Sequence, residues 1–258
     1  LSRVGSEMCI RDSGVAAAEV RPGNRSIVHH VIAYLREPGG EWLKGAPIGE
    51  PILKVAKSDG GPRGTLVGYA PGFPARPATP GRAMRIKAGT EVVLEMHYTA
   101  NGKPASDLTK VGIIFAKEPP VEVSGGFAAV ETKFAIPPGA DAHEVKSKWT
   151  VTRDVKLTNL TPHMHVRGKD FLYTAKYPTG ETEVLLQVSK YDFNWQHTYV
   201  LAEPKLLPTG TVIECVAHFD NSPNNKYNPD PMATVKWGDQ SWEEMMIGFG
   251  GYVVERGR

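Results

Sequence analysis

Apolar residues along this chain recur at period two or in short unbroken runs bounded by turn residues. The runs lie at residues 27–35, 91–99, 110–116, 144–157, 170–177, 183–188, 211–219 and 245–254. Period-two alternation puts successive side chains on opposite faces of a strand, so each run predicts a strand. No segment shows the i, i+3, i+4 spacing of an amphipathic helix of about 12 residues or more. Tyr177, Pro178, Thr179 and Gly180 fall between two runs and predict a hairpin turn. Many short strands separated by turn chemistry predict an all-β chain built of antiparallel β-sandwiches, jelly-roll-like in character.

The organisation follows from the breaks. Pro119-Pro120 and Gly125-Gly126 bracket a short extended piece, so residues 117–126 read as a linker. It separates residues 15–118 from 127–258, each long enough for one sandwich. Residues 71–81 and 221–231 read as long turn-rich loops. Residues 1–14 resemble a non-native leader, since 4–13 read like translated adapter sequence, and they are set aside for the fold.

Composition narrows the function classes. Of 258 residues, 41% are hydrophobic and 22% charged, as in a soluble globular chain. A formal net charge of +2, with no basic run interleaved with aromatics, argues against nucleic acid as partner. No apolar stretch approaches the length of a membrane span. The only cysteines are Cys9 and Cys215, which rules out a disulfide scaffold and a thiolate metal site of CxxC type. The hydrolase, P-loop and dinucleotide-binding motifs GxSxG, HExxH, GxxxxGK and GxGxxG are absent.

The candidate chemistry lies in eight histidines. His163 and His165 are two apart, a spacing that places both imidazoles on one strand face and lets them grip one metal ion. The ordinary alternative is a surface strand with two polar residues facing water. His29 and His30 are adjacent, so they share an ion only at a strand end or a bulge. The ordinary alternative there is one buried and one exposed histidine. His97 shares its face with Val93 and Glu95, opposite Leu94, Met96 and Tyr98, and alone it reads as a hydrogen-bonded strand histidine. Met245 and Met246 read as core filler unless they lie beside two histidines, where a thioether selects copper, above all Cu(I). A cupin-like site would need a glutamate shortly after His165, and residues 166–171 hold none.

In order, Val28-His29-His30-Val31, Val93 to Tyr98 with His97, Pro162 to His165, and Glu243-Glu244-Met245 resemble the copper type II, ascorbate-dependent monooxygenases. That family includes peptidylglycine α-hydroxylating monooxygenase and dopamine β-monooxygenase. The resemblance spans roughly residues 19 to 254 and rests on the ordered combination, each part being weak alone. It is closest to bacterial members, in which such a core can be joined to other redox domains.

The resemblance implies two tandem β-sandwich domains facing a cleft, each carrying one copper. It assigns His29, His30 and His97 to an electron-transfer copper, and His163, His165 and Met245 to an oxygen-binding copper, with Met246 as the fallback thioether. It also implies ascorbate as reductant, O2 as co-substrate, hydroxylation of an activated C–H bond in a small molecule, and a periplasmic or extracellular location. The family's substrate pocket does not transfer. Peptide-amidating members carry an arginine at the position of Thr161, and Asn and Tyr where Ile247 and Phe249 stand. His143, His197 and His218 have no ligand role in this mapping and read as structural. Two alternatives stay open: a copper-binding electron-transfer module without catalysis, and a zinc or iron site on a β-sandwich.

Overall fold

In a computed structural model the chain is all-β, with no helix among the described residues. These are 13–47, 49–52, 64–70 and 77–256, together with the backbone of Ser2–Val4. No helix there is long and apolar enough to cross a membrane. Cys9 and most of the 71–81 loop lie outside them. The chain divides into two compact units, residues 1–124 with 255–258, and residues 125–254.

The first unit holds β1 (Ser2–Val4), β2 (Ser13–Arg21), β3 (Val28–Arg36), β4 (Gly64–Tyr69), β5 (Arg82–Ile86), β6 (Glu91–Tyr98), β7 (Lys110–Phe115) and the start of β8 (Glu122–Glu131). One sheet runs β1-β6-β3-β4, and β5, β2 and β7 are neighbours in a second. Val31, Ala33, Leu66, Val92 and Leu94 of the first sheet share a core with Val15, Val20 and Ile86 of the second. Val31 and Ala33, like Val92 and Leu94, are two apart on their strands and so face the same side, while Val93 between the latter pair packs into a separate cluster with Trp42 and Leu43. Two segments depart from expectation. Ser2–Val4 pairs with β6, and Ser13 and Gly14 pair with Ile86 and Arg85, so parts of the residues set aside as leader take part in the sheets.

The second unit continues β8 and adds β9 (Ala135–Ile136), β10 (His143–Thr150), β11 (Val155–His163), β12 (Gly168–Lys176), β13 (Thr182–Val188), β14 (Tyr199–Leu207), β15 (Val212–Phe219), β16 (Val235–Lys236) and β17 (Met246–Glu255). One sheet runs β10-β15-β12-β13, while β14, β11, β17 and β8 are neighbours in another. A Cβ on Gly248 of β17 would run into Cys215 and Tyr173, so these two sheets pack face to face. The hydroxyl of Tyr173 donates to the carbonyl of Phe249 across that interface (3.1 Å). The expected hairpin is present: β12 pairs β13, Gly180 N–H donates to the Tyr177 carbonyl (2.9 Å), and Gly180 has φ +91°.

Three expectations needed correction. Residues 144–157 are two strands, β10 and β11, with a turn between them at Asp154, whose carboxylate accepts from the N–H and hydroxyl of Thr209 (2.8 Å each). The expected linker does hold the break between the units, after Ser124, but it also contains the start of β8, which pairs in parallel with β5 through Glu122, Val123 and Ser124. The pairing is therefore not antiparallel throughout.

Candidate metal centres

In the first unit, β3 and β6 set His30 opposite His97, Ile32 opposite Glu95 and Tyr34 opposite Val93. The register shifts between Val28 and His30, leaving His29 as an extra residue in β3, a bulge. This is the irregularity that two adjacent histidines need to serve one site. The other face of these strands feeds the core between the sheets. The histidine face shares its side with a small apolar cluster of Trp42, Leu43 and Val93.

The rings of His30 and His97 stack with centroids 3.8 Å apart. Nδ1 of His29 lies 3.0 Å from Nδ1 of His30. Burial, and secondarily the neighbouring His97, lower the pKa of His29, which favours the neutral imidazole that ligates metals. The donor atoms of His30, Glu95 and His97 all lie within 4.8 Å of one another. His29 is not in that group, and Glu95, which the sequence reading did not name as a ligand, is. The signal for Glu95 was its i, i+2 spacing from His97, the same spacing that singled out His163 and His165.

In the second unit, β11 runs to His163, and His165 follows just past its end. Met164 between them is fully buried, His165 is buried as well and His163 is half-buried. Their ring centroids are 5.4 Å apart and nearly perpendicular. Each ring is held through Nδ1. His163 Nδ1 lies 2.7 Å from Oε1 of Gln196. The Gln196 amide nitrogen donates to the Phe193 carbonyl (3.1 Å), which fixes its oxygen toward the histidine. His165 Nδ1 lies 3.2 Å from the Glu243 carbonyl. Both partners are acceptors, which suits a proton on Nδ1 of each imidazole.

Strand alternation orients the methionines. Ile247 of β17 pairs with His163, and Phe249 with Thr161. Met246 is fully buried in the core. Met245 precedes β17, and extending the alternation by that one residue puts it on the parity of Ile247 and Phe249. The His163 and Phe249 rings are 6.2 Å apart.

Behind this group sits a buried polar frame that sequence reading missed. Glu244 accepts from the backbone N–H of His165 and of Arg167, 2.7 Å each, one through each oxygen. Burial raises its carboxyl to about 8, against the lowering pull of those N–H groups and of the Arg167 charge. Arg167, fully buried itself, donates from Nε to Asn221 (2.8 Å) and from a terminal nitrogen to the Trp242 carbonyl (2.8 Å). The Tyr191 hydroxyl donates to the Met164 carbonyl (2.8 Å) and accepts from its N–H (3.0 Å).

The other histidines lie apart. His218 Nδ1 is 2.7 Å from Asp170, with Glu144 at 3.8 Å from Nε2, a half-exposed charge network. His197 stacks on Trp195 at 5.4 Å. His143 pairs with Phe219 at the start of β10.

No family model matches the chain, and no curated protein does. Among solved structures, a protein from Eubacterium rectale is similar at 10% identity and TM-score 0.28, covering 98% of this chain and 68% of its own. The VP2 subviral particle of infectious bursal disease virus is similar at 9% identity and TM-score 0.29, covering 96% of this chain and 59% of its own. The Gx strain of that virus gives 9% identity and TM-score 0.26, over 96% and 59%. This chain thus spans about three fifths of the viral chains, and none of these similarities bears on what it does.

Proposed function

We propose that this chain is the core of a copper-dependent monooxygenase that hydroxylates an activated C–H bond of a small molecule, with O2 and ascorbate or another one-electron donor. His29, His30 and His97 would hold one copper, and His163, His165 and Met245 the other. The observation that carries the reading is the pairing of His163 and His165, whose ring centroids are 5.4 Å apart and whose Nδ1 atoms each lie against a carbonyl oxygen. With the proton on Nδ1, each ring would donate to that oxygen and turn Nε2 to a metal, the arrangement by which outer partners orient metal-binding histidines. Met245 on the same side adds a soft donor, which favours copper over zinc.

Bound copper would supply one-electron chemistry and oxygen activation at these sites. The chain's own residues do the rest. Gln196 and the Glu243 carbonyl hold the two rings in place, and Glu244 ties the backbone of His165 to the segment that carries Met245. Thr161, whose hydroxyl donates to Thr198 (2.8 Å), shares the His163 side with Ile247 and Phe249. By the same resemblance, the protein works in a periplasm or outside the cell.

Copper stoichiometry, measured together with ascorbate-driven oxygen uptake, tests this. Two coppers per chain and uptake abolished by His163→Ala are expected. Zinc or iron in their place overturns the reading. Two coppers without uptake would leave a non-catalytic electron-transfer module.

A further inference from the structure

Glu95 has no assigned part in the ligand set above, yet its carboxylate stands with His30 and His97. Glu95 and His97 are two apart on β6 and share a face, and His30 faces His97 across the ladder. Glu95 Oε1 is 3.1 Å from His97 Nε2. Two donors that share one ion, each at about 2.1 Å, stand roughly 3 to 3.4 Å apart. Both side chains are about one third exposed, 31% for Glu95 and 33% for His97, so an ion has access from solvent. The Trp42, Leu43 and Val93 cluster on the same face gives the strands a fixed apolar base beside the polar group.

We propose that Glu95 is a ligand of the first metal site, beside His30 and His97, and that its carboxylate biases that site toward the oxidised ion. This rests on the reading of that site as a copper site. The chemistry follows from ligand hardness. A carboxylate is a hard, anionic donor that suits Cu(II), whereas Cu(I) prefers soft thioether and imidazole donors. The two coppers would then differ in opposite senses. The first gains an anionic oxygen that favours Cu(II), and the second gains the Met245 thioether that favours Cu(I). An electron placed on the first would be held less tightly than one on the second, which is the order a donor site needs.

The test uses the full chain carrying His163→Ala and His165→Ala, which leaves the first site, with and without Glu95→Gln. Gln keeps the shape and removes the charge. Cu(II), and Cu(I) under anaerobic conditions, are titrated against competing chelators. The expected result is one Cu(II) per chain, weakened about tenfold or more by Glu95→Gln, while Cu(I) affinity changes far less. Each tenfold of difference raises the site's midpoint by about 59 mV. One Cu(II) per chain with unchanged affinity in Glu95→Gln overturns the proposal and leaves the copper reading standing. Glu95 would then only accept a hydrogen bond from His97. No copper bound with Glu95 intact overturns the copper reading, and the proposal with it. The same titration in the chain with both sites intact, where two ions give two steps, decides the matter if the double substitution unfolds the second unit.

Discussion

Glu244 and His165 are joined through the backbone: Oε2 of the buried carboxylate accepts the His165 N–H at 2.7 Å. The other oxygen accepts from Arg167 at the same distance, so one side chain spans the turn that follows the His163, Met164, His165 segment. Met245 is the next residue along from Glu244. The proposed thioether and the proposed imidazole are therefore positioned by a single group.

Glu244→Gln should separate stability from metal binding. A carboxamide has one oxygen, so one of the two buried N–H groups meets an NH2 instead of an acceptor. Leaving a buried donor unsatisfied costs about 1–3 kcal/mol. The unfolding midpoint should fall by a corresponding amount. Copper stoichiometry of the folded protein should drop from two toward one. Full retention of two coppers would show that the carboxylate does not position the second site.

The two adjacent methionines should behave differently. Met245→Ile should remove the sulfur scatterer from the X-ray absorption spectrum of the Cu(I) form and collapse ascorbate-driven turnover. Met246→Ile, at a fully buried position, exchanges side chains of similar volume and should cost less than about 1.5 kcal/mol. Its sulfur signal should stay. The reverse outcome would mean that strand parity is broken just before β17.

Acid should weaken the first unit through Asp107. Burial alone would raise this carboxyl, but hydrogen bonds from the Thr109 hydroxyl and from the backbone N–H groups of Asn24, Gly23 and Thr109 hold it below its ordinary value. A group whose folded pKa is depressed contributes stability above its unfolded pKa and loses it as pH falls through the folded value. Asp107→Asn should therefore lower the denaturant midpoint at neutral pH. The gap from wild type should close as pH falls below about 4. A gap that stays constant across that range would rule out the ionised carboxylate as its source.

The legible parts of the fold were those whose burial alternates without interruption. Val212–Phe219 alternates residue by residue between half-buried and buried, and it was read almost to its ends. Tyr199–Leu207 was missed because its residues are mostly exposed and it contains Pro204, which is tolerated at the edge position that β14 occupies. The start of Glu122–Glu131 falls in the 117–126 stretch that reads as a linker because Pro119-Pro120 and Gly125-Gly126 bracket it. Gly125 is there for packing: a Cβ on it would lie 2.7 Å from the Tyr252 ring. The turn at Asp154 carries no glycine or proline, so nothing local announced it. At the sites, the histidines were visible from their spacing. Gln196 was not, because it reaches His163 only once the chain has folded back across 33 residues.

The extra residue at His29 sets two demands on the chain against each other. For β3 as a strand, a residue without a ladder partner is a defect, and removing it would restore uniform pairing with β6. For the proposed copper site it supplies an imidazole. The residue is thus a cost to regular pairing that the proposed chemistry would offset. Deleting His29 in frame is expected to leave the chain folded, with an unfolding midpoint equal to or above that of the parent, while weakening copper at the first site. A chain that gains robustness as it loses its metal would identify the bulge as a trade-off written into the reading frame. A chain that unfolds would show that the irregularity serves the sheet itself.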